Sequence, residues 1–251
     1  MVYLSGFHAI EEMIKSGRPC GPLLLAKPGP RAREIVSLAS ERKITVKRVG
    51  TSELDRLSAD HRGILLEADE FSGGSNTDIR LEDFLAGLGD RKDVLAVILD
   101  EITDPHNYGA ILRSCDQFGA DIVITRKRRI AKYADVISKT SAGASAWIPV
   151  AETPNLLRAA ELLKENGFWI YGADMKGENI WEKNLGGRTA VILGGEGDGI
   201  SRILKDSCDA LIAIPREGKL DSLNVSVAAG VIFYEVMRQR RLSERKPAKH
   251  E

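Results

Sequence analysis

The chain has 251 residues, of which 43% are apolar and 29% are Asp, Glu, Lys or Arg, and its formal net charge is zero. This composition is typical of a soluble globular protein, and the length suffices for one large domain or two modest ones. No run approaches the roughly 20 apolar residues that a membrane span needs, and acidic residues interrupt the amino-terminal segment where a signal peptide would stay hydrophobic. These features argue against a membrane protein and predict a cytoplasmic one.

The zero net charge hides an uneven distribution. Residues 1–50 contain nine Lys and Arg against four Asp and Glu, whereas residues 51–100 contain five against twelve. Further basic clusters lie at residues 238–249 and at Arg126, Lys127, Arg128 and Arg129. Such clusters usually form solvated surfaces, and nucleic-acid binding is the functional alternative because phosphates attract them.

The three cysteines, Cys20, Cys115 and Cys208, lie far apart and show neither CxxC nor Cys/His spacing. An odd number of widely separated cysteines indicates neither a disulfide framework nor a structural zinc site. We therefore expect buried, reduced thiols and no metal.

The first 70 residues alternate between helical and strand-like segments, as a small α/β module does. The predicted helices are 8–17, 31–43 and one from Thr51, and the predicted strands are 22–26, 44–49 and 62–68. Gly, Ser, Asn and Asp then replace the apolar periodicity at residues 70–78, and this composition is typical of a linker.

Longer elements follow the linker. The predicted helices start at Asn107, near Lys132, at Pro154 and at Ser222, the last ending near Arg240, with a short helix after the glycine-rich segment. The predicted strands are 94–100, 121–125, 147–150, 168–174, 189–195 and 210–215. These strands are continuous apolar runs, which is typical of a parallel sheet covered by helices on both faces.

We therefore predict a doubly wound α/β domain behind a smaller α/β domain. The predicted boundaries are 1–70 for the small domain, 71–92 for the linker and a connecting helix, 93–241 for the large domain and 242–251 for a charged tail.

Three loops at the carboxyl ends of predicted strands are candidates for a site, because ligands bind beyond these ends in open parallel sheets. The glycines of the second loop do not fit G-x-G-x-x-G, since position 200 is Ile and position 202 is Arg, and no P-loop sequence occurs. Instead, one carboxylate, Glu196, stands among Gly194, Gly195, Gly197 and Gly199. Four glycines exceed what a turn needs, so we expect backbone packed against a ligand or another segment. In the third loop, Ser222 stands where it could cap the last helix.

The segments DPHNYGAILRSC (104–115), LGGEGDGIS (193–201) and IPREGKLDSLNVSVAAGVIFYE (214–235), each at a strand end, resemble the three signature motifs of the SpoU family. Its members are S-adenosyl-L-methionine-dependent RNA ribose 2′-O-methyltransferases. The resemblance spans roughly residues 94–240. The leading module, through SGFHAIEEMI and HRGILLEAD, is similar to the small L30e-like substrate-binding α/β domain of the subgroup that modifies a guanosine of large-subunit (23S) ribosomal RNA.

The resemblance implies the SPOUT architecture, a parallel sheet with a C-terminal trefoil knot. In this family the knot loops bind S-adenosyl-L-methionine and the knotted region forms a homodimer interface. The implied cofactor contacts, largely through backbone, are Gly194, Gly195, Ile214 and Leu223. The implied catalytic residues are Asn107, Arg113, Glu196, Ser222 and Asn224.

Methyl transfer to a ribose hydroxyl depends above all on the alignment of the reacting atoms. Asn107 and Arg113 lie six residues apart on one helix, and we expect both to face one cleft. A guanidinium acting as general base would need its pKa lowered by about six units, roughly 8 kcal/mol. We therefore expect Arg113 to stabilise the developing alkoxide and to hold phosphate. For Glu196, proton transfer and organisation of the loop remain open. His106 and Cys115 are expected to be a turn residue and a buried helix position, not nucleophiles.

RNA contact is expected through the first module and the Arg126–Arg129 cluster, because both are basic. Departures from the family pattern at Gly195, Arg62, Arg216 and Glu217 leave the target nucleotide open. The alternatives are a tRNA 2′-O-methyltransferase, a catalytically inactive RNA-binding ribosome-assembly factor, and a nucleotide-binding α/β enzyme, which the failed fingerprints disfavour.

Overall fold

The fold was obtained as a computed structural model. It describes residues 2–15, 17, 20–58, 61–68, 79–126, 133–146, 148–218 and 222–244. The chain divides into two compact units. The first comprises residues 1–77 together with 129–147, and the second comprises 78–128 together with 148–251.

The first unit contains a four-stranded sheet with helices packed against it. Its strands are β1 (Val2–Leu4), β2 (Leu23–Leu25), β3 (Val46–Arg48) and β4 (Ile64–Ala68), in the spatial order β1-β4-β2-β3. Its helices are α1 (Phe7–Lys15), α2 (Pro30–Glu41), α3 (Thr51–Leu57) and α6 (Ala134–Thr140). Strand β2 is parallel to β3 and antiparallel to β4, which also pairs with β1. The predicted elements are confirmed, and β1 at Val2–Leu4 is an additional strand that was not predicted.

Helix α6 belongs to the first unit although it follows a strand of the second. It packs on β1, and a 3-10 turn at Ala144–Ala146 packs on α1. The sequence-based division had assigned this segment to the large domain. Local periodicity predicts a helix but does not tell which core its buried face joins, so only the tertiary contacts could make this assignment.

The second unit contains a six-stranded sheet in which every neighbouring pair is parallel. Its spatial order is β10-β8-β9-β5-β6-β7. The strands are β5 (Val94–Asp100), β6 (Ile122–Arg126), β7 (Val150–Thr153), β8 (Trp169–Asn179), β9 (Arg188–Gly194) and β10 (Ala210–Ala213). All seven residues of β5 are buried, as expected for a strand covered on both faces. The predicted parallel α/β fold is confirmed.

Helices cover both faces of this sheet. They are α4 (Leu81–Ala86), α5 (Pro105–Phe118), α7 (Leu156–Glu165), α8 (Arg202–Asp206) and α9 (Val225–Glu244). Apolar residues of α4, α7 and α8 share one core with alternate residues of the strands. Helices α5 and α9 pack on each other, and α9 also contacts β9. Among the described helices, none is both long and apolar enough to cross a membrane.

Candidate active site

The loops after β5, β9 and β10 carry the three sequence motifs, and the first of them leads directly into α5. The Asp104 side chain accepts a hydrogen bond from the backbone N–H of His106 at 3.0 Å, and Pro105 occupies the first helical position. Asp at the cap and Pro at the next position are strong helix-start signals, so α5 begins two residues earlier than predicted. Asn107 is thereby fixed in the first turn, where it is 8% exposed.

Three side chains from the three motifs form one hydrogen-bonded cluster. The Asn107 amide donates to Glu196 Oε1 at 2.8 Å. The Asn224 amide approaches both Asn107 Oδ1, at 3.0 Å, and the same Glu196 oxygen, at 3.1 Å. Glu196 and Asn224 lie 89 and 117 positions from Asn107 along the chain, and all three side chains meet at one point. We call these three residues the amide–carboxylate cluster.

Asn224 also caps the last helix. Its Oδ1 accepts hydrogen bonds from the backbone N–H of Ser226 at 2.9 Å and from the Ser226 hydroxyl at 2.6 Å. Helix α9 begins at Val225, so the expectation that Ser222 caps it is wrong, because Ser222 lies three residues before the helix. Ser226 was missed by sequence reasoning, although an Asn two residues before a Ser at a helix start is a recognisable capping pattern.

A cleft of about 590 Å³ opens beside this cluster. Glu196, Ser222 and Asn224 line it, and so do all four residues expected to contact a cofactor: Gly194, Gly195, Ile214 and Leu223. Arg216, noted above as a departure from the family pattern, also lines the cleft. Met175 in β8 lines it too and was missed, because nothing in a strand sequence tells which site its side chains will face.

The glycines of the second loop are explained by close backbone approaches. A Cβ on Gly194 would lie 2.0 Å from the carbonyl carbon of Gly199, and one on Gly195 would lie 2.4 Å from the carbonyl oxygen of Glu101. Gly197 and Gly199 have φ values of 94° and 68°, which side chains rarely adopt. The sequence predicted that this glycine-rich backbone packs against a ligand or against another chain segment, and the structure shows the packing against another segment.

Comparisons with known proteins agree with this geometry. The profile of the SpoU rRNA methylase family matches residues 94–234, and a profile described as RNA 2′-O ribose methyltransferase substrate binding matches residues 3–73. The chain belongs to the SpoU methylase family. The predicted reaction class, RNA ribose 2′-O-methylation, is thereby confirmed.

Relatives of the methylase cover nearly its whole length. A protein of Borreliella burgdorferi described as an uncharacterized tRNA/rRNA methyltransferase is 39% identical over 86% of this chain and 97% of its own. A 23S rRNA (guanosine-2′-O-)-methyltransferase of Neisseria meningitidis is 37% identical over 96% of both chains. The SpoU methyltransferase AviRb of Streptomyces viridochromogenes shares the fold, with a TM-score of 0.80 at 22% identity over 96% of this chain and 90% of its own.

The methylase does not bring Arg113 into the amide–carboxylate cluster. Arg113 is exposed, and within the described ranges its side chain makes no hydrogen bond or ion pair, whereas Asn107 is buried. At about 100° per residue, a separation of six residues leaves the two side chains about 120° apart around the helix. The expectation that both face one cleft of a single chain therefore does not follow from their spacing.

A buried carboxylate, missed by sequence reasoning, ties the second loop to β5. Asp100 is fully buried, and its Oδ2 accepts a hydrogen bond from the backbone N–H of Ser201 at 2.8 Å. Among the described residues, no group hydrogen-bonds to its Oδ1, and the Arg126 guanidinium lies 4.0 Å from it. Arg126 also pairs with Glu101 at 3.1 Å. Of the basic cluster, Lys127, Arg128 and Arg129 lie outside the described residues.

The two side chains considered above as nucleophiles, those of His106 and Cys115, differ in burial. Cys115 is buried, and burial raises the pKa of its thiol, so the reactive thiolate does not form near neutral pH. His106 is exposed in the first turn of α5. The expectation of buried thiols holds for Cys115, whereas Cys20 and Cys208 are only half-buried. In the part of the chain that the structure describes, no group of three or more His, Cys, Asp or Glu could hold a metal.

Proposed function

We propose that this methylase transfers a methyl group from S-adenosyl-L-methionine to a ribose 2′-hydroxyl in structured RNA, a guanosine of 23S ribosomal RNA in the first place. The observation that carries the proposal is the amide–carboxylate cluster at the edge of a cleft lined by the expected cofactor contacts. The relative in Neisseria meningitidis with this substrate in its name supports the choice of RNA. A ribosomal substrate also favours the cytoplasm as the site of action.

The cleft suits a nucleoside cofactor in size and chemistry. Its volume of about 590 Å³ falls in the range of ligand pockets. Ala213, Ile214, Leu223 and Ile232 provide an apolar wall for a purine, while the glycine-rich backbone provides polar groups at close range. The bound cofactor supplies an activated methyl group. AviRb has been solved with this cofactor, which supports the same use here.

The amide–carboxylate cluster contributes position rather than a mobile proton. Glu196 Oε1 accepts hydrogen bonds from two amides, and this favours the organising role over the proton-carrying one. Asn107 is in turn held by the first turn of α5 and Asn224 by the first turn of α9. The ribose hydroxyl would meet a rigid set of amide and carboxylate groups, which lowers the entropic cost of alignment.

We further propose a homodimer formed through α9. Val227, Val231 and Tyr234 are 52%, 40% and 49% exposed and follow each other at i, i+4 and i+7 on one helix face. An exposed apolar stripe of this kind is typical of a protein contact surface. A dimer would also give the exposed Arg113 a partner site, where it can stabilise the developing alkoxide and hold phosphate. Light scattering should detect a dimer that Val231→Glu dissociates and that Ile203→Glu, at an exposed apolar position on α8, leaves intact.

The trefoil knot and the Arg126–Arg129 surface remain proposals. Membership of the SpoU family supports a trefoil knot in the C-terminal region. Replacement of Arg126, Lys127, Arg128 and Arg129 by Ala should reduce the salt dependence of RNA binding, and an unchanged salt slope would remove this surface from consideration.

The reaction is tested by incubating the purified protein with methyl-labelled S-adenosyl-L-methionine and, separately, with total tRNA and unmodified ribosomal RNA. Label in 23S RNA that is lost in Arg113→Ala supports the proposal, and mapping identifies the nucleotide. Label confined to tRNA would keep the chemistry and overturn the substrate. Cofactor binding with no label in either RNA would favour an assembly factor.

A further inference from the structure

The loop that carries Glu196 is held at its base by the end of β5. Asp100, the last residue of β5, pairs with Gly194, the last residue of β9, and the loop then runs from Gly195 to Ser201. At the far end of this loop, the backbone N–H of Ser201 donates to Asp100 Oδ2 at 2.8 Å. Both ends of the loop therefore contact one residue of β5, so a shift of Asp100 would displace the Glu196 carboxylate.

Asp100 is an unfavourable group to bury. Its side chain is fully buried, and its Oδ1 receives no hydrogen bond from any residue that the structure describes. A buried carboxylate destabilises the fold strongly unless a cation compensates its charge, and an apolar residue of similar volume would fill the same space without this penalty. The presence of a carboxylate here therefore points to its bond with Ser201 and to a compensating cation close by.

Arg126, the last residue of β6, supplies that cation. Strands β5 and β6 are adjacent and parallel, and one guanidinium nitrogen of Arg126 lies 4.0 Å from Asp100 Oδ1. Another nitrogen of the same guanidinium donates to Glu101 Oε1 at 3.1 Å. Asp100 is fully buried and Arg126 is 45% exposed, so the guanidinium is the solvent-facing member of the pair. We call Asp100, Glu101 and Arg126 the carboxylate–guanidinium triad.

Glu101 adopts a backbone conformation that a side chain disfavours. Its φ is 57°, in the left-handed region that glycine adopts at no steric cost. Its carbonyl oxygen lies 2.4 Å from the position of a Cβ on Gly195, so Glu101 packs directly against the start of the Glu196 loop. Such strain persists where the surrounding structure enforces it, and it often accompanies function. A glycine would suit this backbone better, but it would not hold the guanidinium of Arg126.

We propose that Arg126 is a positioning residue of the methyl transfer, whose guanidinium compensates the buried charge of Asp100 and thereby keeps the Glu196 loop in place. The inference rests on the proposed function and goes beyond it, because it gives Arg126 a role inside the protein and separates it from the RNA contact proposed for the Arg126–Arg129 cluster. A displacement of about 1 Å near the reacting atoms can lower a rate about 100-fold, so loss of this support should slow the reaction.

The test is a double-mutant cycle in the full-length protein. Arg126→Gln removes the compensating charge, Asp100→Asn removes the buried charge and keeps an acceptor for the N–H of Ser201, and the double variant combines both changes. Arg158→Gln is the matched control, because Arg158 on α7 is also exposed and also pairs with two glutamates. For each protein we would measure kcat at saturating RNA and cofactor, the affinity for S-adenosyl-L-methionine, the salt dependence of RNA binding, and Tm.

The proposal predicts that the second substitution rescues the first. Arg126→Gln should lower kcat about tenfold and should also weaken S-adenosyl-L-methionine binding, since the same loop lines the cofactor cleft. Asp100→Asn should lose less, and the double variant should return to the level of Asp100→Asn, because no buried charge is then left without compensation. Arg158→Gln should match the wild type in kcat and in affinity.

Three results would overturn the proposal. The first is a double variant no more active than Arg126→Gln. The second is a salt slope of RNA binding that falls by about 0.7 to 0.9 in Arg126→Gln, as the loss of one phosphate contact requires. The third is a lower Tm with an unchanged kcat, which is the result of a purely structural role. If the wild type binds S-adenosyl-L-methionine but methylates no RNA, the proposed function fails and the cofactor affinities of the cycle still decide on Arg126; if it binds no S-adenosyl-L-methionine, both proposals fail.

Discussion

Gly194→Ala should damage the cofactor cleft by displacing the second loop. The added Cβ would lie 2.0 Å from the Gly199 carbonyl carbon, 2.2 Å from the Ile200 nitrogen and 2.3 Å from the Gly199 oxygen. Ordinary contacts of a Cβ begin near 3.4 Å, so the backbone on one side must move by more than 1 Å. Overpacking of this kind costs about 1 to 3 kcal/mol. For a protein of this size, each 1 kcal/mol lowers Tm by about 2 to 4 °C.

The assay measures Tm by calorimetry and S-adenosyl-L-methionine affinity by titration calorimetry. We expect a lower Tm and at least a tenfold weaker affinity, about 1.4 kcal/mol, because the displaced backbone lines the cleft. Gly218→Ala is the matched control, since a Cβ there meets no atom of the described residues within 4 Å. Wild-type Tm and affinity in Gly194→Ala would refute the argument that close backbone packing requires this glycine.

Three further predictions concern single side chains. Asn107→Asp replaces the amide that donates to Glu196 by a second carboxylate. We expect kcat to fall at least tenfold, which corresponds to about 1.4 kcal/mol, and the cofactor affinity to change little. An unaltered kcat would contradict the role of the cluster. Burial raises the pKa of Cys208 to about 11, and it raises the pKa of Cys115 further. When the native protein is alkylated at pH 8, mass spectrometry should therefore find Cys115 unmodified and Cys208 labelled slowly. The pKa of Glu235 is lowered, first by its hydrogen bond with Arg238, so its carboxylate stabilises the folded state above the ordinary carboxyl range and loses this effect as pH falls. The unfolding free energies of wild type and Glu235→Gln should therefore converge as the pH falls below the ordinary carboxyl value of 4.5, and a constant difference would argue against this linkage.

Periodicity, composition and motifs in the sequence predicted most of the elements, the parallel sheet and the family. Continuous apolar runs such as Val94–Asp100 indicate strands that are buried on both faces. Because such strands are typical of parallel sheets, this local pattern predicts the sheet type. Asn107, Glu196 and Asn224 were identified through motifs whose order survives in the sequence, and the structure brings them within 3.1 Å of one another.

How these parts combine is visible only in the folded structure. The sequence gives no distance between residues 89 positions apart, so the shared oxygen of Glu196 could not be foreseen. The same holds for α6, whose buried face joins the first unit, and for Asp100, whose partner Ser201 lies 101 residues away. Arg113 shows that a known spacing is not enough. Its distance from Asn107 along the helix follows from the sequence, but its exposure depends on what packs around α5. Periodicity and composition are local properties of a chain, whereas a site is formed by packing between distant segments, and only the folded structure contains that information.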